Sequence, residues 1–141
     1  MGRRSIYLLV RRSKPVTLLN TFDMPIMETN CTRRITSTTP TQSLAVMNGS
    51  FMAAQSHQMA DRVMKGFGME KVDPDFIVKA VYELAYQRKP SDGEIQMAMA
   101  FLNDQRDIYG RTAKLRPTAR ELALADLCLA LLSANEFVYV D

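Results

Sequence analysis

The sequence predicts a mainly α fold: a small bundle of about four helices around a central C-terminal helix, preceded by an irregular N-terminal segment. Three observations carry this. From residue 39 onward, capping residues recur in register with a following Pro, Glu or Gln, the start signal of a helix. Between those signals, apolar residues repeat at helical spacing. Residues 122–132 are apolar nearly all round, as in a helix buried on most sides. The chain's 141 residues, 47% apolar and 23% charged, suit one folding unit with a core of its own.

Before residue 39 the chain is heavily punctuated, so residues 1–38 are expected to form an irregular basic segment and residues 39–141 the helical domain. Residues 5–10 are a short β-branched and aromatic run, a candidate strand. Pro15 and Pro25 interrupt the stretch after that run, and residues 36–41 are a threonine- and serine-rich loop. The first helix starts with Thr39 as cap, Pro40 at the first helical position and Gln42 completing a capping box. Asn48-Gly49 predicts a stop or kink, Ser50 restarts the helix, and Gly66 and Gly68 end it. The second helix opens on Asp73 and Pro74, carries the stripe Phe76, Ile77, Ala80, Val81, Leu84 and Ala85, and closes on Arg88, Lys89 and Pro90. The two cations there complement the helix dipole.

A second capping box, Ser91 to Glu94, opens the third helix, which runs to Gly110 with Ile95, Met99, Phe101 and Leu102 on its apolar side. Thr118 and Glu121 form a third box ahead of the central helix. Asp126 interrupts that helix and must face outward or find a partner, since an unpaired buried carboxylate is costly. Residues 137–140 alternate aromatic and β-branched side chains and are a candidate terminal strand, able to pair with residues 6–10.

The charge is +3, with the excess at the front: Arg3, Arg4, Arg11, Arg12 and Lys14 precede the first acid, Asp23, and Arg33 and Arg34 come soon after it. A basic arm attracts phosphates, but no aromatics are interleaved to stack bases, so nucleic-acid binding is expected to be weak at most. The longest apolar run, residues 127–132, is far short of the roughly 20 residues a bilayer requires, so no membrane span is expected. Residues 6–10 are too few for a signal-peptide core, which needs about 7–15, and Arg11-Arg12 closes them off. Ten methionines and no tryptophan point to an adaptable core, or alternatively to a plastic binding face of Met24, Met27, Met47 and Met52. Cys31 and Cys128 permit one disulfide at most; the location of Cys128 in the most apolar helix favours a buried thiol.

Chemistry-bearing residues are sparse. His57 is the sole histidine, and neither cysteine is near it in sequence; its neighbour Ser56 faces away on a helix, and no Gly-x-Ser-x-Gly elbow exists. One histidine and two distant cysteines do not make a zinc site. Asp73 and Asp75 lack the glycine and closing glutamate of a calcium loop, and Gly66-Phe67-Gly68 lacks the third glycine of a dinucleotide loop. No catalytic, cofactor-binding or metal-ligating residue is therefore expected, and no enzyme activity. For a binding surface the polar groups in and after the first loop are the best candidates: Arg33, Arg34, Thr38, Thr39, Gln42 and Asn48. The competing role for them is capping and bracing the first helix.

Several strings occur in a telling order: Arg4-Ser5-Ile6-Tyr7, Arg11-Arg12, Phe22-Asp23-x-Pro25, Cys31-x-x-Arg34, Ser37-Thr38-Thr39-Pro40-x-Gln42-Ser43-Leu44 and Asn48. Further on come Ala85-Tyr86-x-Arg88-x-Pro90, Glu94, Asp126-Leu127 and Leu132-x-x-Asn135-Glu136-Phe137-x-Tyr139-Val140-Asp141. Together they resemble the C-terminal part of a domain of unknown function abundant in planctomycete bacteria. There it belongs to long exported proteins that often carry cytochrome-c-like modules. The resemblance implies a larger parent, periplasmic or extracellular, of which this chain is a truncated portion, and it supplies no assigned activity or catalytic residues. The chain lacks the Cys-x-x-Cys-His motif, so it is not expected to hold haem itself.

The function these features favour is a helical accessory or interaction module whose partner is the rest of a larger protein or another protein. The first alternative is a non-catalytic part of an enzyme acting on carbohydrate or another polymer, with the catalytic groups in an N-terminal portion. The second is weak nucleic-acid binding through the basic N-terminus.

Overall fold

Capping chemistry sets where most of the helices begin. The computed structural model describes residues 5–9, 11, 13–24, 39–67 and 73–139. The chain divides into two compact units, Met1–Ala45 and Val46–Asp141. In the first unit a single 3-10 turn, Ser5–Tyr7, precedes helix α1, Thr17–Thr21. Helix α2, Pro40–Asn48, begins in this unit and carries the chain across the division.

The second unit holds the core. It contains α3 (Ser50–Phe67), α4 (Pro74–Tyr86), α5 (Asp92–Gly110), α6 (Ala119–Leu132) and the short α7 (Asn135–Val138). The Asn48-Gly49 pair separates α2 from α3, as its composition predicts. Helix α4 is capped by the Asp73 carboxylate, which accepts from the Asp75 N–H at 3.2 Å, with Pro74 where a missing N–H costs nothing. Helix α5 has both halves of its capping box. The Ser91 hydroxyl accepts from the Glu94 N–H at 3.4 Å, and the Glu94 carboxylate accepts from the Ser91 N–H at 2.7 Å.

Helix α6 is the hub. It packs most extensively against α3 and α5, and also touches α4 and α7. Its Leu124, Leu127, Leu131 and Leu132 are buried, with Ala119, Ala123, Ala125 and Cys128 between them. Each buried leucine contributes roughly 1.5–3 kcal/mol, and the intervening small residues let α3 and α5 approach closely. The facing side chains are Ala60, Val63 and Met64 of α3, Val78, Val81 and Tyr82 of α4, and Ala98 of α5. Asp126 finds its partner: the Tyr109 hydroxyl donates to it at 2.7 Å, which pushes the tyrosine up to about 12. Cys128 is a free, fully buried thiol, and burial raises its pKa to about 12. Cys31 lies outside the described residues.

Three expectations are corrected. Residues 5–7 form a 3-10 turn and residues 135–138 an α-helical turn, so neither terminal run is a strand; Val10 and Val140 lie outside the described residues. A strand needs a ladder partner, and among the described residues the only bridge is the local Arg11–Lys14 contact. Docking on α4 and α6 overrides the β propensity of the C-terminal run. The third capping box is also absent. The chain enters α6 from a 3-10 turn, Arg116–Thr118, so Thr118 lacks the extended backbone a cap requires, and its hydroxyl donates to the Leu115 carbonyl at 3.2 Å instead.

Candidate functional site

Two places in the second unit gather polar or exposed apolar side chains, and their hydrogen bonds tell them apart. The first centres on Arg88. Helix α4 ends at Gln87, which takes the left-handed conformation with φ 55° and turns the chain sharply. Arg88 then faces α5 and α7. Its guanidinium donates to Glu94 at 2.7 and 3.0 Å, to Glu136 at 2.6 and 2.9 Å, and to the Lys89 carbonyl at 3.2 Å. The rings of Tyr86 and Tyr82 lie 5.4 and 5.7 Å from its central carbon, within cation–π reach, and meet each other edge-on. The Tyr86 hydroxyl donates to the Leu131 carbonyl of α6 at 3.0 Å.

The charges respond accordingly. Hydrogen bonding from Arg88, helped by the Ser91 N–H, holds the Glu94 carboxyl down to about 2. Arg88 also lowers Glu136, and the two carboxylates raise Arg88 above its ordinary value. Burial, reinforced by Glu136, pushes Tyr86 up to about 12. A guanidinium has five N–H donors, and here each has an acceptor. Arg88 therefore has nothing left to offer a ligand. The node is a rivet that fixes the end of α4 to the starts of α5 and α7.

The second place is a groove of about 490 Å³. One wall is a stripe along α3 formed by Phe51, Met52, Gln55, Gln58, Met59 and Arg62; the other is Leu84 of α4, Leu132 of α6 and Phe137 of α7. The α3 positions recur at spacings of three, four and seven, so they share one side of the helix. An adjoining side of α3, with Ala60, Val63 and Met64, faces the core. Helix α3 thus buries one side in the core and turns a mixed side towards the groove, where Phe51 stands out while Met52 and Met59 are half-buried. Phe51 and Phe137 leave 56% and 41% of their surfaces exposed. Among the described residues Arg62 has no hydrogen bond or ion pair, while its neighbours Asp61 and Lys65 lie 4.0 Å apart.

The surface residues expected from the sequence fall elsewhere. Arg33, Arg34 and Thr38 lie outside the described residues. Gln42 is only 2% exposed and ties the first unit together. Its amide oxygen accepts from the Thr39 N–H at 3.2 Å, and its amide nitrogen donates to the Thr21 carbonyl at 3.0 Å and towards Asp23 at 3.5 Å. Thr39 is half-buried and Asn48 is exposed at the end of α2. Of the methionines offered as a plastic face, Met52 lines the groove, Met47 is exposed on α2, Met24 is half-buried in the first unit, and Met27 lies outside the described residues. The rest of the groove is absent from the sequence expectation, although Phe51, Met52 and Met59, beside the core-facing stripe of α3, are a signal that could have found it.

The hub helix and the helices packed on it define a helical domain with a core of its own. By sequence the chain belongs to the family PSD1, described as a protein of unknown function (DUF1553), whose profile matches residues 1–102. Arg88 and Glu94 fall inside the matched span. Neither the curated proteins nor the solved structures give a significant match. Among the described residues no helix is long and apolar enough to cross a membrane.

Proposed function

We propose that this chain is a non-enzymatic helical interaction module of a larger exported protein, and that the groove between α3 and α7 is the face it offers. The observation that supports this is the exposure of Phe51 and Phe137 over a groove whose other apolar lining is Met52, Met59, Leu84 and Leu132, with Gln55, Gln58 and Arg62 beside them. Scattered surface apolar residues need no explanation, but a contiguous patch rimmed by polar groups is the signature of a contact surface. Methionine walls adapt to their contents, which suits association better than the fixed geometry catalysis demands. The sparse nucleophiles and bases of the sequence point the same way.

Site-specific crosslinking tests the reading. A photoreactive residue at position 58, on the groove rim, is compared with one at position 97, where Met97 is exposed on α5. In extract of the cells that make the protein, the position-58 probe should give a discrete protein adduct that disappears when Phe51→Ser is added. Adducts of equal yield at both positions, or none at position 58, would contradict the proposal.

A further inference from the structure

The chemistry of the groove defines what fills it, on the footing that it is a contact face. Its walls are side chains of helices whose backbone groups are already paired within each helix. No strand edge is available among the described residues, so an entering segment gains no backbone hydrogen bonds from the groove and must satisfy its own. A helix does so, whereas an extended chain would leave its groove-facing backbone groups to the few polar side chains there, Gln55, Gln58 and Arg62. The α3 wall runs from Phe51 to Arg62, about 16 Å at 1.5 Å per residue, long enough for three turns of a partner helix.

The rim adds charge. Among the described residues Arg62 is the only charged one lining the groove, and it has no hydrogen-bond or ion-pair partner there. The carboxylate next to Phe137, that of Glu136, is hydrogen-bonded to Arg88, which it shares with Glu94. Gln55 and Gln58, one and two turns before Arg62, offer neutral donors and acceptors. Among the described residues that line the groove, the one formal charge an incoming segment meets is therefore positive. We propose that the groove receives an amphipathic helix from a protein partner, its apolar stripe against Met52, Met59 and Leu132, with a carboxylate beside that stripe opposite Arg62.

The test uses the full chain and three fluorescein-labelled peptides of about twelve residues, stapled to keep them helical because free peptides of that length are marginal helices. All carry the same leucine stripe. One has Glu at the flanking position, one Gln and one Lys. Anisotropy titrations run at about 50 mM salt, where screening is modest. An exposed ion pair contributes modestly, so the Glu peptide should bind about threefold tighter than the Gln peptide and about tenfold tighter than the Lys peptide. The variant Arg62→Glu, at an exposed position that should not disturb folding, should reverse the order. Phe51→Ser should weaken all three.

Equal binding of the three peptides, still sensitive to Phe51→Ser, would overturn the acidic partner and leave the contact face standing. If no peptide binds while the position-58 crosslink succeeds, the helical partner is wrong and the interaction reading survives. A dimer in sedimentation equilibrium that Phe51→Ser dissociates would also overturn the inference, because the groove would then hold a second copy of the chain.

Discussion

Replacing Leu124 by alanine should unfold the second unit at markedly lower temperature. Leu124 is 3% exposed on α6, in the cluster where α6 meets the other helices. Truncation removes three carbons from a site closed on all sides, so both the lost transfer energy and the residual cavity count. Buried leucine-to-alanine changes cost about 2–5 kcal/mol, with the higher values where the surroundings cannot collapse. The packing of helices on several sides of α6 restricts collapse, which places the expected loss at roughly 3–4 kcal/mol. For a unit of this size each kcal/mol shifts Tm by about 4–8 °C, so a drop of at least about 12 °C is expected. Far-UV circular dichroism during heating and urea titration measures both quantities. Met97→Ala, at an exposed position on α5, is the control and should stay within about 0.5 kcal/mol of the parent. A Leu124→Ala loss no larger than that of Met97→Ala would refute the placement of α6 at the centre.

The Arg88 rivet predicts a pH signature. Glu94 titrates at about 2 in the folded chain against an ordinary 4.5, so its contribution to stability is present above the unfolded value and is lost as pH falls through the folded one. The gap in urea midpoint between the parent and Arg88→Met should therefore narrow between pH 5 and pH 2, and a gap independent of pH would contradict the pairing. Gln87→Gly should stabilise the fold by up to about 1 kcal/mol, because glycine adopts the left-handed conformation without the strain a side chain meets there; destabilisation in thermal melts would count against that geometry. In a Cys31→Ser background, Cys128 should resist Ellman's reagent at neutral pH until denaturant is added, and prompt reaction would show that the core around α6 is open.

Much of the helical layout is legible in the chain because helix starts are local. Asp73-Pro74 and the Ser91–Glu94 box act within four residues of themselves, and both helices begin where those signals stand. The unbroken apolar character of residues 122–132 likewise marks the hub, since no exposed helix could carry it. What escapes a linear reading is convergence. Arg88 looks like a cation placed for the dipole of its own helix, whereas its strongest partners include Glu136, 48 positions away. The terminal run around Phe137 has strand-like composition, but a strand exists only with a neighbour, and packing on α4 and α6 selects a helical turn. Gln42 divides the two roles read for it: its amide oxygen accepts from the Thr39 N–H, as the capping box predicts, while its inward-facing amide nitrogen donates to Thr21 of α1 and so does not serve as surface. The groove is hidden for a related reason. Phe51, Met59 and Leu84 are apolar at helical spacing, so periodicity assigns them to the core, and only the three-dimensional packing leaves part of that stripe uncovered.

The claim that a preformed groove on the second unit receives a partner helix is tested most directly by methyl NMR of the methionines. With carbon-13 methyl labels in the full chain, addition of the Glu-bearing helical peptide should move the Met52 and Met59 resonances together and leave that of Met97 in place. Saturable shifts at Met97 with Met52 and Met59 unmoved would put the contact face elsewhere and contradict the account.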